Sequence, residues 1–140
     1  MSKIDQKDRF YYKSEFLGSS SGRSIRILSE YYGPLQRLER NNISDTIVFF
    51  GSARTPSKED AKKALDNAPA NTDSKTMARL KMDLKMSRYY EDARELAKRF
   101  TIWSKELKSK KHRYIICSGG GPGIMEASNR GASEAGGINV

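Results

Sequence analysis

The feature of this 140-residue sequence that most constrains its fold is a run of glycines between a predicted strand and a predicted helix. The strand is the apolar stretch Tyr114-Ile-Ile-Cys117, and the turn is Ser118-Gly-Gly-Gly-Pro-Gly123. The helix is predicted for 124–135, with Gly136-Gly137 as its C-cap. A short run that is apolar on both faces is typical of a buried strand in a parallel sheet. The segment therefore predicts one strand–turn–helix unit of an α/β protein.

The preceding part of the chain shows the same alternation of strand and helix. Thr46-Ile-Val-Phe-Phe50 predicts a second buried strand, and Ser57-Lys-Glu-Asp60 resembles a capping box that opens a helix to about Leu65. From Ser74 to Lys108 the pattern predicts a long amphipathic helix, in one or two pieces. Steps of three or four residues predict an apolar stripe on that helix, interpreted as core or as a helix–helix dimer face: Tyr89, Ala93, Leu96, Phe100, Trp103 and Leu107.

The ends of the chain set the predicted domain boundaries. Residues 1–22 are polar and end in a Gly- and Ser-rich stretch, which predicts a flexible N-terminal arm. Residues 23–40 have helical spacing, with a break or kink expected at Gly33-Pro34. Ile138 to Val140 reads as the start of a third strand. We therefore predict a Rossmann-like parallel sheet flanked by helices over 23–140, truncated soon after its third strand begins.

Charge and cysteine content limit the compartment and the partners. The formal net charge is +9, from 26 Lys and Arg against 17 Asp and Glu, which favours anionic ligands. Because acids are interleaved with the bases, most of these charges are expected on solvated helix faces. The single cysteine, Cys117, excludes an intramolecular disulfide and suits a reducing compartment. With no apolar signal segment and no apolar stretch of about 20 residues, we expect a cytoplasmic protein without a membrane partner.

The glycine-rich turn has the properties of an anion site. Glycines let backbone N–H groups approach an anion, and a helix N-terminus adds unpaired donors and partial positive charge. Pro122 lies near the first helical position, where proline is favoured. Turns that follow parallel strands share one crevice, so Gly51–Arg54 is expected to face Ser118–Gly123. The alternative is a plain tight turn. The candidate phosphate- or nucleotide-binding residues are Gly51, Ser52, Arg54, Ser118, Gly119, Gly120, Gly121, Gly123, Glu126 and Arg130.

Several other chemistries lack their motifs. Glu126 stands where the dinucleotide fingerprint needs its third glycine, and no Gly-Lys-Ser/Thr follows the turn. Ser118 is preceded by Ile116-Cys117, which does not fit the G-x-S-x-G nucleophile elbow. Cys117 is interpreted as a core residue, and the only histidine, His112, has no second ligand near it in sequence. We therefore expect no metal and no cofactor.

The stretch from Ile115 to Gly137 resembles the first signature of the LOG-like (lonely-guy, or "lysine decarboxylase-like") family. Val48–Arg54 is similar to that family's first strand and turn, and Tyr89–Leu96 to the helix between them. The resemblance covers roughly 23–140. It implies a Rossmann-like fold and a homodimer or higher oligomer. It also implies hydrolysis of the N-glycosidic bond of nucleoside 5′-monophosphates to free base and ribose 5-phosphate.

The family's second signature, P-G-G-x-G-T-x-x-E, and the arginine before it are absent from these residues. The catalytic residues are therefore unknown and expected beyond Val140. Glu126 is a candidate here, since cleavage through an oxocarbenium-like state needs a carboxylate, but it could equally be a local helix cap. Arg54 and Arg130 could hold phosphate, or Arg130 could pair with Glu126.

Three functions remain open from the sequence. The first is a nucleoside 5′-monophosphate phosphoribohydrolase of which this chain is the N-terminal part. The second is a nucleotide-binding module without chemistry of its own. The third, a basic nucleic-acid-binding protein, rests on net charge alone and is ranked last.

Overall fold

The computed structural model describes residues 9–140 of a mixed α/β protein that is mostly helical. It divides into a first compact unit that ends at Asn42 and a second unit, Ile43–Val140. The elements in chain order are a 3₁₀ helix at Phe10–Tyr12, α1 (Ser14–Gly18), α2 (Arg23–Arg40), β1 (Thr46–Phe49), α3 (Lys58–Asp66), α4 (Ser74–Met86), α5 (Arg88–Glu106), β2 (Ile115–Ser118) and α6 (Ile124–Glu134).

The first unit consists of short helical turns followed by the long helix α2. The 3₁₀ helix and α1 fall within the segment predicted as a flexible arm, and residues 1–8 of that arm lie outside the described residues. Of the break or kink predicted at Gly33-Pro34, the break does not occur, because helix α2 continues through both residues. Proline removes a single backbone donor, and the turns on both sides keep theirs. Helix α2 belongs to the first unit, which ends at Asn42, whereas the predicted boundary after residue 22 placed it in the same domain as the sheet.

The sheet of the second unit is parallel, as predicted, and has two strands. β1 pairs with β2 from Thr46↔Ile115 to Phe49↔Ser118. Asn139 forms an isolated parallel bridge with Ile116, supported by the Val140 N–H to Ile116 O bond of 3.0 Å. The predicted third strand at 138–140 is thus present as one bridge beside β2.

Helices α5 and α6 pack together against one face of this sheet. Ala97, Ile116 and Ala132 form the fully buried centre, with Ile47, Phe49 and Phe100 around it. The helices approach closely because Gly131 of α6 has no side chain: a Cβ there would overlap the carbonyl oxygen of Arg94. Small residues at this crossing therefore set the distance between the helices.

The stripe predicted for α5 is buried only in part: Phe100 packs against the core, and two others of its six residues are half-buried. Tyr90, Ala97 and Thr101 are the buried positions, whereas Tyr89, Leu96 and Trp103 are exposed. The close approach of α6 at Gly131 buries the face of α5 that carries Ala97, so positions one residue earlier, such as Leu96, stay exposed. The predicted division of the long helix is confirmed, since α4 ends at Met86 and α5 begins at Arg88.

The capping box predicted at the start of α3 is confirmed. Ser57 Oγ accepts a hydrogen bond from the Asp60 N–H at 3.1 Å and donates to Asp60 Oδ2 at 2.7 Å. Removing the hydroxyl in Ser57→Ala leaves the Asp60 N–H without its acceptor and takes the only polar group from the buried Ser57 side chain. We expect the free energy of unfolding to fall by about 1 kcal/mol, measured by urea denaturation. Ser57→Thr keeps the hydroxyl and should recover most of the loss; an equal loss in both variants would contradict the capping role.

Candidate functional site

The two turns singled out from the sequence lie together at the carboxyl ends of β1 and β2. The Ile124 N–H, at the start of α6, donates to the carbonyl oxygen of Ser52 at 3.2 Å. Gly51 lies against the same residue, since a Cβ added to Gly51 would be 2.7 Å from Ile124 Cβ. The loop after β1 and the turn after β2 are therefore joined through Ile124.

The backbone of the glycine-rich turn takes conformations that favour glycine. Gly120 has φ +67°, and Gly123, the N-cap of α6, has φ +75° and ψ −128°. Ser118 Oγ accepts a hydrogen bond from the Gly120 N–H at 3.2 Å and so fixes the start of the turn. Helix α6 begins at Ile124, so Pro122 lies directly before the N-cap, near the first helical position as expected.

Five backbone donors of this segment remain without a protein acceptor. Within residues 9–140, the N–H groups of Gly119, Gly121, Gly123, Met125 and Glu126 make no hydrogen bond. Unpaired N–H groups at a helix start carry partial positive charge and favour a bound anion. The Met125 side chain lies over the turn, because a Cβ on Gly121 would be 2.6 Å from Met125 Cε. The turn thus offers donors beside one apolar side chain.

Arg54 supplies a cation on the loop after β1. Its backbone N–H donates to Ser52 Oγ at 3.1 Å, and its side chain is exposed. No acidic residue among those the structure describes pairs with its guanidinium. An arginine without a protein counterion, on a loop bonded to the glycine-rich turn, suits a phosphate ligand.

Glu126 and Arg130 are engaged with each other and with α5. Arg130 Nη1 lies 3.6 Å from Glu126 Oε1 and donates to the hydroxyl oxygen of Tyr90 at 3.1 Å. Tyr90 is 1% exposed, and burial raises the pKa of its hydroxyl, although the bond from Arg130 acts in the opposite direction. The pairing of Glu126 with Arg130, one of the two alternatives left open by the sequence, is therefore present. The sequence analysis did not identify Tyr90. The helical spacing of Tyr90, Ala97 and Thr101, one position after the predicted stripe, could have identified it.

The remaining reactive side chains form no site of their own. Cys117 is a half-buried free thiol in β2, and His112 is exposed, with its backbone carbonyl accepting the Ser44 N–H at 2.9 Å. Across residues 9–140 there is no group of three or more His, Cys, Asp or Glu side chains placed to hold a metal ion. In the same part of the chain, no helix combines the length and the apolar character needed to cross a membrane.

Comparisons with family models, with curated proteins and with solved structures found no match to this chain. The resemblance drawn from Ile115–Gly137 stays a prediction, and the residues of the site carry the functional argument.

Proposed function

We propose that this chain binds a phosphorylated nucleoside at the glycine-rich turn after β2. One observation carries the proposal: the turns after two parallel strands are joined at Ile124, and the adjoining N–H groups of Gly121, Gly123, Met125 and Glu126 have no acceptor within residues 9–140. A ligand phosphate would supply that acceptor, in the crevice where open α/β sheets bind nucleotides.

The two arginines near the turn would have different roles in binding. Arg54, without a counterion in the described chain, would pair with phosphate oxygens. Arg130 would instead hold Glu126 in place, because it already contacts both Glu126 and Tyr90. A carboxylate positioned by a neighbouring arginine is suited to accept hydrogen bonds from ribose hydroxyls.

The resemblance to LOG-like proteins supports a nucleoside 5′-monophosphate as the ligand and a Rossmann-like sheet as the framework. Cleavage of the N-glycosidic bond would require the P-G-G-x-G-T-x-x-E signature, which these 140 residues lack. We therefore propose binding as the function of this chain, and phosphoribohydrolase activity only where that signature is supplied. The exposed Val48 (67%) in β1 and Phe50 (89%) just after it support an apolar surface that another layer of the fold or a second copy would cover.

Calorimetric titration of the purified chain with 5′-monophosphates and with the matching nucleosides tests this proposal. We expect the monophosphates to bind at least about tenfold more tightly, because charge-assisted bonds to phosphate are absent in the nucleosides. Gly121→Asp places a carboxylate in the turn and should abolish binding, whereas Gly121→Asn, of the same size and uncharged, should retain part of it.

Two outcomes would contradict the proposal. Equal affinity for nucleoside and monophosphate would show that the site does not recognise the phosphate. Absence of binding by a chain with native circular dichroism would show that the chain does not bind nucleotides. We also expect no release of free base, and release by this chain alone would show that the missing signature is not required for the chemistry.

A further inference from the structure

The second unit has a cavity at the amino-terminal ends of its parallel strands, at the sheet edge opposite the glycine-rich turn. Its volume is about 490 Å³. The end of α5, the loop before β2 and the segment that follows α6 enclose it. Cavities of this size accommodate small molecules, so it is large enough to be a binding site separate from the proposed nucleotide site.

The lining of this cavity is cationic. Its basic side chains are Lys105, Lys111, His112 and Arg113, and no Asp or Glu of the described chain lines it. Arg113 is compensated by Asp45, whose carboxylate is 2.6 Å from the guanidinium and has its pKa lowered by that hydrogen bond. Lys111 has no such partner within residues 9–140. The cavity therefore presents uncompensated positive charge to a ligand.

Lys105 is held in position by backbone oxygens. Its ammonium group donates to the carbonyl of Ala135 at 3.0 Å and to that of Gly136 at 3.4 Å. These carbonyls end helix α6 and carry partial negative charge, so they orient the ammonium group without cancelling its formal charge. Lys105 is thus a fixed cation at the wall of the cavity.

The loop that carries Lys111 is also ordered by specific contacts. The Lys111 N–H donates to Ser109 Oγ at 3.2 Å, which fixes the backbone next to the cavity. Tyr114 has φ +55°, a conformation that non-glycine residues seldom adopt and that must be held by its surroundings. In that conformation its ring lies 5.0 Å from the Trp103 ring and 4.8 Å from Arg113 Cζ.

We propose that this cavity binds a small ligand that carries two or more negative charges of the phosphate type. Lys105, held by backbone carbonyls, and Lys111, which forms no ion pair within residues 9–140, line the cavity from two segments. Two cations suit a compact anion with two or more charges better than an anion with one. An extended nucleic acid would instead contact the whole basic run, including Lys108 and Lys110, which lie outside the lining. This site is independent of the nucleotide site.

Pyrophosphate is the probe for the experiment, and Trp103 is the reporter. Trp103 is the only tryptophan in the chain and packs on Tyr114 of the lining, so occupancy should change its fluorescence. We expect a saturable change at constant ionic strength, confirmed by calorimetry. The double variant Lys111→Gln/His112→Gln should weaken binding about tenfold, because it removes a cation from the lining. The fold should be kept, since both side chains are exposed and the His112 carbonyl still accepts the Ser44 N–H.

The matched control is Lys108→Gln/Lys110→Gln, which removes two charges from the same basic run outside the cavity. We expect it to change the affinity by less than about twofold, and Gly121→Asp to leave pyrophosphate binding at this cavity intact. Equal weakening by the two double variants would show that the basic run attracts anions nonspecifically, and would overturn the proposal. If an oligonucleotide bound more tightly than pyrophosphate, and both variants lost that binding equally, the basic run would be a nucleic-acid-binding surface and not part of a small-anion site.

Discussion

Replacing Gly131 with alanine is expected to lower the free energy of unfolding of the second unit by about 3 kcal/mol. The new Cβ would overlap the carbonyl oxygen of Arg94 and lie 2.9 Å from Arg94 C and 3.1 Å from Lys98 N. These are backbone atoms of α5, so relief requires the two helices to move apart. That movement would open the packing of Ala97 against Ala132 at the centre of the core.

Helix propensity alone gives the opposite sign, which makes the substitution diagnostic. Alanine is favoured over glycine by about 1 kcal/mol within a helix, so a Gly131→Ala helix without this contact would be more stable. Ala64→Gly, at an exposed position of α3, measures the propensity contribution in this chain. Urea denaturation followed by Trp103 fluorescence gives both values. A stability of Gly131→Ala at or above that of the original chain would show that α5 and α6 do not cross as described.

The features of this fold that follow from local sequence were predictable. The strands at 46–50 and 114–117, the capping box at Ser57 and the helix from Ile124 each depend on a few adjacent residues. A short apolar run, a serine before an acidic turn and a glycine cluster identify such elements without knowledge of their neighbours. The meeting of the two turns also followed, because parallel strands bring their carboxyl ends to one edge.

The features that depend on distant residues could not be predicted in the same way. The buried face of α5 includes Tyr90 rather than Tyr89 because Gly131, some forty positions later, determines how closely α6 approaches. The cationic cavity combines the end of α5, the loop before β2 and the segment after α6, which no local pattern connects. Periodicity describes one helix at a time, whereas packing between helices chooses which of two adjacent faces is buried.

The class of ligand was predictable from the sequence only in part. The glycines indicated an anion site, and the structure adds which donors lack acceptors and which arginine is engaged. Arg54 and Arg130 looked equivalent as phosphate ligands in the sequence. The contacts of Arg130 with Glu126 and Tyr90 now separate them, and Arg54 is the better candidate for direct phosphate binding.

Replacing Gly123 with alanine is expected to cost about 4 kcal/mol of stability, the largest effect of any single substitution at the turn. Two causes combine there. The backbone has φ +75° and ψ −128°, which an L side chain disfavours, and the added Cβ would overlap the Ser52 carbonyl oxygen. That oxygen accepts the Ile124 N–H, so relieving the overlap would break the bond that joins the two turns.

Gly120→Ala separates these two causes. Gly120 also has a positive φ, +67°, but a Cβ there would meet no atom within 4 Å. We expect a loss of about 1 kcal/mol for Gly120→Ala, the cost of the backbone conformation alone. The difference between the two variants, measured by urea denaturation, then reports the steric contact with the loop after β1. Equal losses would show that the turns are not held against each other, and the shared crevice on which the nucleotide site depends would lose its structural basis. A large excess for Gly123→Ala, with monophosphate binding retained in Gly120→Ala, would establish that the loop after β1 and the start of α6 form one rigid wall of that crevice.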